Sequence, residues 1–353
     1  MATLSQTAYI TRKLINLGAI VLVAIIILRI FFGVAGGIWQ KLFPPPPPAA
    51  NEAFGKLPYP SAQNNVATPS GVISYSLETA DGTLPVLPSL SKVYFLNRPG
   101  PSFGSFDRTK ALASKIGFTD VPHKVSSTAW RFTDSANPLR LLDIDEISGN
   151  FHLTYTYLSD LSLFNDKNFT SEDSMISQAQ SFLSGPSLLT DDLKAGTPAA
   201  FFFKLDSGAL VPTTSLSNAD AVGITLTRGD LDRTPIVSPD ARQGLVSVLF
   251  SGSTDPKKKI LEARYFYTSI DLENFATYPL VKSVDAFDQL KSGRAIFASL
   301  PNPMSNSITI RNVYLAYLDP YPPQAYLQPV LVFSDEKGFL AYIPAIDPKW
   351  LGQ

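Results

Sequence analysis

The chain has 353 residues, 45% of them hydrophobic, a formal net charge of −1 and no cysteine. That length and apolar content can bury a sizeable core, and the lack of cysteine excludes disulfides and thiolate zinc sites. Only Arg12, Lys13, Arg29 and Lys41 are charged before residue 50, so the remaining 25 basic and 30 acidic residues give −5, which argues against nucleic-acid binding.

The amino-terminal tail, residues 1–13, is short. Leu14 to Trp39 then reads LINLGAIVLVAIIILRIFFGVAGGIW. A bilayer core about 30 Å thick needs about 20 apolar residues at about 1.5 Å rise each. Arg12 and Lys13 stay out of the hydrocarbon, so the span starts at Leu14 and reaches Gly33. No polar stripe recurs at helical spacing between Leu17 and Leu28, which disfavours a buried soluble helix. The run is long for a cleaved signal, and no small-x-small cleavage site follows it. Residues 14–38 are therefore predicted to be an uncleaved transmembrane anchor. Arg29 lies close enough to the far interface to snorkel, with a carboxylate on another membrane helix as the alternative. Gly33 and Gly37 form a small-xxx-small pair, and Trp39 suits an interfacial belt. The basic flanks are nearly balanced. The short tail carries no other export signal, so the amino terminus is placed inside and the rest outside.

Residues 39–70 read as a Pro-rich stalk. Pro44–Pro48 is a five-proline run, which favours a semi-rigid polyproline II spacer. A first α+β unit is predicted over 71–165. It holds a strand at Val93–Leu96 and a helix from an Asp107 cap to Ile116, stopped by Gly117 with Phe118 packing back. Strands follow at Ser126–Thr133, Leu139–Asp145 and Phe151–Leu158, with a hairpin turn at Ser148-Gly149.

A second α+β ectodomain is predicted over 166–353. Thr170 and Asp173 resemble a capping box. Met175, Ile176, Ala179, Phe182 and Leu183 give one apolar helix face, and Gly185-Pro186 ends it. Strands are read at Ala199–Leu205, Ala221–Thr227, Leu245–Phe250 and Ile260–Ser269. A third helix, Val284–Ser292, is capped by Ser283 and shows Val284, Phe287 and Leu290 on one face. Ala295–Ser299, Ile308–Leu318 and a Tyr326–Phe333/Phe339–Ile346 hairpin complete the chain. Pro329 inside a strand indicates an edge or a bulge. The fold class is thus α+β: an anchor and stalk followed by repeated helix-on-antiparallel-sheet units.

The tail segments VDAFDQLKSG (284–293), ITIRNVYLAY (308–317), YLQPVLVF (326–333) and AYIPAI (341–346) carry a resemblance. Their order is similar to the C-terminal part of YycI/YycH-type single-pass regulators and related PepSY-like extracytoplasmic domains. The resemblance covers about residues 170–346 and rests on packing residues. It implies an N-terminal anchor, repeated helix-on-sheet ectodomains and restraint of a cell-wall sensor kinase through anchor and ectodomain contacts. The proline stalk departs from that pattern.

The sequence assigns no catalytic, cofactor-binding or metal-binding residue, and no cofactor. His123 and His152 are far apart and lack metal-ligand spacing. Ser89–Lys92 and Ser334–Lys337 match S-x-x-K, but neither context is helical and no partner motif accompanies them. Asp143, Asp145 and Glu146 are oxygen ligands without an EF-hand spacing, and Asp230 and Asp232 read as solvated carboxylates. Asn168-Phe169-Thr170 is a glycosylation sequon, meaningful only in a eukaryotic secretory route. The expected function is a non-catalytic, single-pass protein of a bacterial cell envelope. Its partners are the bilayer and another envelope or membrane protein, not nucleic acid, and its oligomeric state is open. A cell-wall hydrolase or acyltransferase is the alternative.

Overall fold

The computed structural model describes residues 49–63, 66, 73–301 and 305–352, together with Leu17, Leu22, Ile25, Leu28 and Arg29. The chain divides into two units, Met1–Ala49 and Ala50–Gln353. In the first, Leu17, Leu22, Ile25, Leu28 and Arg29 are helical and exposed. Among the described residues no helix is long and apolar enough to cross a membrane. The rest of the expected span, the tail before it and Pro44–Pro48 lie outside the described residues.

In the second unit the first strands are β1 Ser74–Leu77, β2 Leu90–Leu96, β3 His123–Lys124, β4 Ala129–Asp134, β5 Asn137–Asp145 and β6 Phe151–Tyr155. Then come β7 Ala199–Asp206, β8 Ala209–Thr213, β9 Ala221–Leu226, β10 Ile236–Val237, β11 Val246–Ser251 and β12 Ile260–Tyr265. The last are β13 Ile270–Pro279, β14 Ile296–Ser299, β15 Ser307–Ile310, β16 Asn312–Leu318, β17 Tyr326–Ser334 and β18 Leu340–Pro344. The helices are α1 Ser105–Ile116, α2 Glu172–Ser184, α3 Asp191–Ala195 and α4 Ser283–Lys291.

Nine strands form one sheet in the order β3-β4-β5-β6-β12-β11-β9-β7-β8. It is antiparallel throughout. Two halves compose it: α1 with β3–β6, and α2 and α3 with β7, β8, β9, β11 and β12. They meet where Phe151–Thr154 of β6 pair with Tyr265–Glu262 of β12. Ala113 and Ile116 of α1, and Met175, Ala179 and Leu183 of α2, enter one buried cluster with residues of both halves, among them Leu142 and Val248. The boundary expected at residue 165 therefore runs through a single sheet. Separating the halves would leave two long unpaired edges and split a common core.

The helix ends follow local chemistry. Gly117 adopts φ +97°, and Phe118 N donates back to Ala113 O at 2.8 Å, burying its ring. The starts differ from expectation by a residue or two. α1 begins at Ser105 rather than after Asp107, and the cap of α2 is Ser171, whose side chain accepts from Ser174 N, not Thr170.

The second sheet has the path β10-β16-β17-β18-β14, and β2 joins β17 to β13. β17 is buried on both faces, which explains the unbroken run QPVLVF. Leu331 and Phe333 face α4, and Val330 and Val332 pack on the other side with Ala316 and Leu318. Pro329 is therefore in a central strand, not at an edge. Tyr326 and Leu327 pair with β2, and Val330–Ser334 with β18. The Pro329 carbonyl accepts from Ala345 N at 3.0 Å, so its nitrogen points to the same side, into the gap between those partners, and the ladder to β16 loses nothing.

Other expectations shift. Ile308–Leu318 breaks at Arg311 into β15 and β16, and β15 pairs in parallel with β1. The strand read as Ile260–Ser269 ends at Tyr265. β13 was not expected, because its register slips between Asp271 and Phe275, leaving Leu272–Phe275 exposed. Residues 51–63, expected in the stalk, belong to the folded unit. Leu57 is fully buried among Val93, Ala276, Tyr278 and Ile346, and Leu57 N donates to Trp350 O.

In α4, Ser283 is the first helical residue and donates its hydroxyl to Pro85 O instead of capping. The buried face is Ser283, Ala286 and Leu290; Phe287 is half-buried against Phe333, and Val284 is 59% exposed. Leu290→Ala should destabilise the protein by about 2–5 kcal/mol through the cavity it leaves. Val284→Ala should stay within about 0.5 kcal/mol. Denaturant titration of the two variants checks this, and equal losses would refute the assigned face.

Asp160, after β6, accepts hydrogen bonds from Lys258, Ser162 and Tyr155. Led by Lys258, these hold its carboxyl at about 2, against 3.8 for an unperturbed aspartate. The unfolded chain therefore takes up this proton first as pH falls, and the stabilisation is complete above about pH 4 and disappears towards pH 2. Thermal melts across that window should show a flatter pH dependence for Asp160→Asn than for the natural chain.

Candidate functional site: a cleft between the two sheets

Strand alternation gives the nine-stranded sheet a second face, opposite its helices. Arg131, Asp143, His152, Arg264, Ser247 and Thr225 follow one another across it in register. Over the β9–β11–β12 part opens a cleft of about 800 Å³. Its floor includes Gly223, Thr225, Ser247, Leu249 and Glu262. One wall is the β7–β8 hairpin with Phe203, Ala209, Leu210 and Pro212. The others are the Asp240–Gln243 loop and Ala298–Pro301 at the end of β14.

Local chemistry holds this shape. A Cβ on Gly223 would stand 3.1 Å from the Phe203 ring, so a bare strand residue keeps the floor low. Asp240 Oδ1 accepts from the backbone N–H groups of Arg242 and Gln243 at 2.9 and 3.1 Å, closing the loop on itself. The Thr225 hydroxyl donates to Arg242 O at 2.9 Å and pins the loop to β9. Gly244, at φ +62°, lies so close to Thr225 that a side chain there would collide with it.

Glu262 is engaged from two directions: His152 Nε2 lies 2.7 Å from Oε1, and Gln243 Nε2 donates to the same oxygen at 3.1 Å. Arg242 is exposed, and its guanidinium makes one long contact, 3.5 Å to Leu300 O. Among the described residues no carboxylate forms an ion pair with it. Both walls bring strand margins. β8 is the margin of the first sheet and β14 of the second. The Asp206–Ala209 pair closes a two-residue turn, so Leu210 and Pro212 fall at outward-facing positions. Pro212 thus removes an outward donor and blunts the edge. At β14, Ala298 O already accepts from Ala241 N.

A buried cation fastens the two sheets together. Arg228, just past β9, is 6% exposed. Its Nε donates to Asp319 Oδ2 at 2.9 Å, Nη2 donates to Thr268 O, and Nη1 lies 3.6 Å from Asp192 Oδ2. The guanidinium stacks 4.3 Å from the Tyr267 ring, and the Tyr267 hydroxyl donates to Asp192 at 3.1 Å. Burial pushes the Asp319 carboxyl above the ordinary aspartate range, and Arg228 opposes that rise. Close backbone approaches serve this joint: a Cβ on Gly196 would overlap Thr227 O.

The residues weighed from sequence are scattered. His152 reaches the cleft through Glu262, whereas His123 is exposed on β3. Lys92 pairs with Asp232 at 2.8 Å, and Tyr94 donates to the same carboxylate, so Lys92 is not directed to Ser89. Ser334 ends β17, and Lys337 lies in the turn after it. Asp143 forms a two-pronged pair with Arg131, Asp145 accepts from Ser148, and Glu146 accepts from Trp130. Asp230 is exposed, and Asn168 donates to Gly252 O. Sequence reading missed Arg242, Gln243 and Glu262 because the loop that carries the first two meets Glu262 only once β11 pairs with β12. The one local sign was Gly223 within a strand.

No family model matches the chain, and no curated protein matches it. Among solved structures it is similar to an uncharacterized protein from Eubacterium rectale, with 10% identity over 72% of this chain and 82% of that one, at a TM-score of 0.37. It is also similar to the YpeB C-terminal domain of Bacillus megaterium, with 11% identity over 71% of this chain and 95% of that one, at a TM-score of 0.33.

Asp319→Ala would leave Arg228 buried without its nearest carboxylate. It should cost about 3–5 kcal/mol in denaturant titration. A loss below about 1 kcal/mol would mean that the joint does not depend on this pair.

Proposed function

We propose that the chain is a non-catalytic, membrane-anchored protein of the cell envelope that binds or restrains another envelope or membrane protein through the cleft between its sheets. The observation that carries this reading is the lining of the cleft. Apolar and hydrogen-bonding residues line it together, and the acidic groups already serve the fold: Asp240 closes its own loop and Glu262 is held by His152 and Gln243. Such a lining is suited to holding a ligand in place. The apolar run Leu14–Trp39 supports the anchor, and Pro44–Pro48 supports a spacer that lifts the folded unit from the bilayer. The resemblance of about residues 170–346 to YycI/YycH-type regulators and related PepSY-like extracytoplasmic domains supports a role in envelope signalling.

A photoreactive residue placed at Ala209, in the cleft wall, should crosslink one discrete partner in spheroplasts. The same group at Lys110, exposed on α1, should not. Protease added outside should remove the crosslinked product. Equal capture from both positions would refute the cleft as the binding surface, and full protection until lysis would refute the external location.

A further inference from the structure

We infer that the cleft receives an extended, mainly apolar peptide segment carrying one acidic group, and that Arg242 binds that group. This rests on the reading of the cleft as a partner-binding site and specifies the chemistry of the partner. The first support is charge. Asp240 and Glu262 keep their negative charge but are turned to backbone N–H groups and to His152 and Gln243, whereas Arg242 keeps an exposed guanidinium with one long contact at 3.5 Å and, among the described residues, no carboxylate partner. A guanidinium beside apolar walls offers a planar fork of donors that matches a carboxylate, and partial desolvation strengthens the pairing.

The second support is the pattern around it. Phe203, Leu210, Leu249 and Leu300 supply apolar surface, and Ser247 and Ser299 line the cleft with them. A peptide answers such a lining, since its amides and side chains alternate. An acyl chain that displaced water from the same groups would leave them without partners, which is costly. The third support is size. About 800 Å³ accommodates a short segment and not a folded surface.

The test uses the full-length chain in detergent micelles. Its probes are immobilised capped peptides in which one position is Glu, Gln or Lys and the others are mixtures of apolar residues. The Glu mixture should bind about tenfold more tightly than the Gln mixture, and the Lys mixture most weakly. Arg242→Gln should erase the Glu advantage, and Arg242→Glu should turn the preference towards Lys. Ala209→Trp, which fills the mouth of the cleft, should weaken all three. If the three mixtures bind alike and Ala209→Trp weakens them alike, the role of Arg242 is overturned and the cleft reading stands. If none binds to chain whose circular dichroism shows it folded, both are overturned. If sodium oleate binds in an Arg242-dependent way and no peptide does, the ligand is a lipid carboxylate and the peptide assignment is overturned.

Discussion

The architecture depends on one buried guanidinium. Arg228 leaves the end of a central strand of the nine-stranded sheet and meets Asp319, which follows β16 of the other sheet, at 2.9 Å. Asp192 of α3, the Thr268 carbonyl and the Tyr267 ring complete its surroundings. A charge removed from water is expensive unless it is paired and hydrogen-bonded. Arg228 is hydrogen-bonded through Nε and Nη2, while Nη1 has only the 3.6 Å ion pair with Asp192. The same expense makes the joint geometrically demanding. Arg228 satisfies these partners only when the helix, the first sheet and the end of β16 hold one relative placement. Apolar contact between two sheets alone tolerates sliding. This pairing does not.

Much of the secondary structure was legible because its causes are local. The Gly117 stop, the return of Phe118, the apolar face of α2 and the β17–β18 hairpin all follow from spacing within a dozen residues. The failures have causes that are not local. Val284 looks like a core residue by period, yet the hydroxyl of Ser283 is drawn inward by the Pro85 carbonyl, and the buried stripe rotates to Ala286 and Leu290. The parallel partner of β1 lies more than two hundred residues away in β15, so no local pattern announces it. Leu57 looks like part of a stalk because prolines surround it, but it is buried against strands from the middle and end of the chain.

The cleft was the least legible feature. Its lining comes from β7, β8, β9, β11, β12, the loop before β11 and the end of β14. No stretch of sequence contains more than a few of those residues. Motif reading looks for groups close together in the chain and favours titratable pairs. Here the histidine and glutamate that meet, His152 and Glu262, are 110 residues apart and are joined by the pairing of β6 with β12. The S-x-x-K and paired-aspartate patterns were close in sequence and led elsewhere, because strand geometry sent their side chains to separate partners.

The margins of the cleft show how a binding surface can coexist with two sheet edges. An unprotected edge invites pairing with any exposed strand. β8 meets this with Pro212, whose missing donor faces outward, and β14 meets it by lending the Ala298 carbonyl to Ala241. Main-chain pairing is therefore restricted at both walls, and selection passes to side chains. The side chains on offer there are the exposed guanidinium of Arg242 and the apolar surfaces of Phe203 and Leu300. Strand addition gives affinity with little discrimination, whereas pockets and charge discriminate. The blunted edges thus favour a selective site over an adhesive one, in keeping with the proposed partner-binding role.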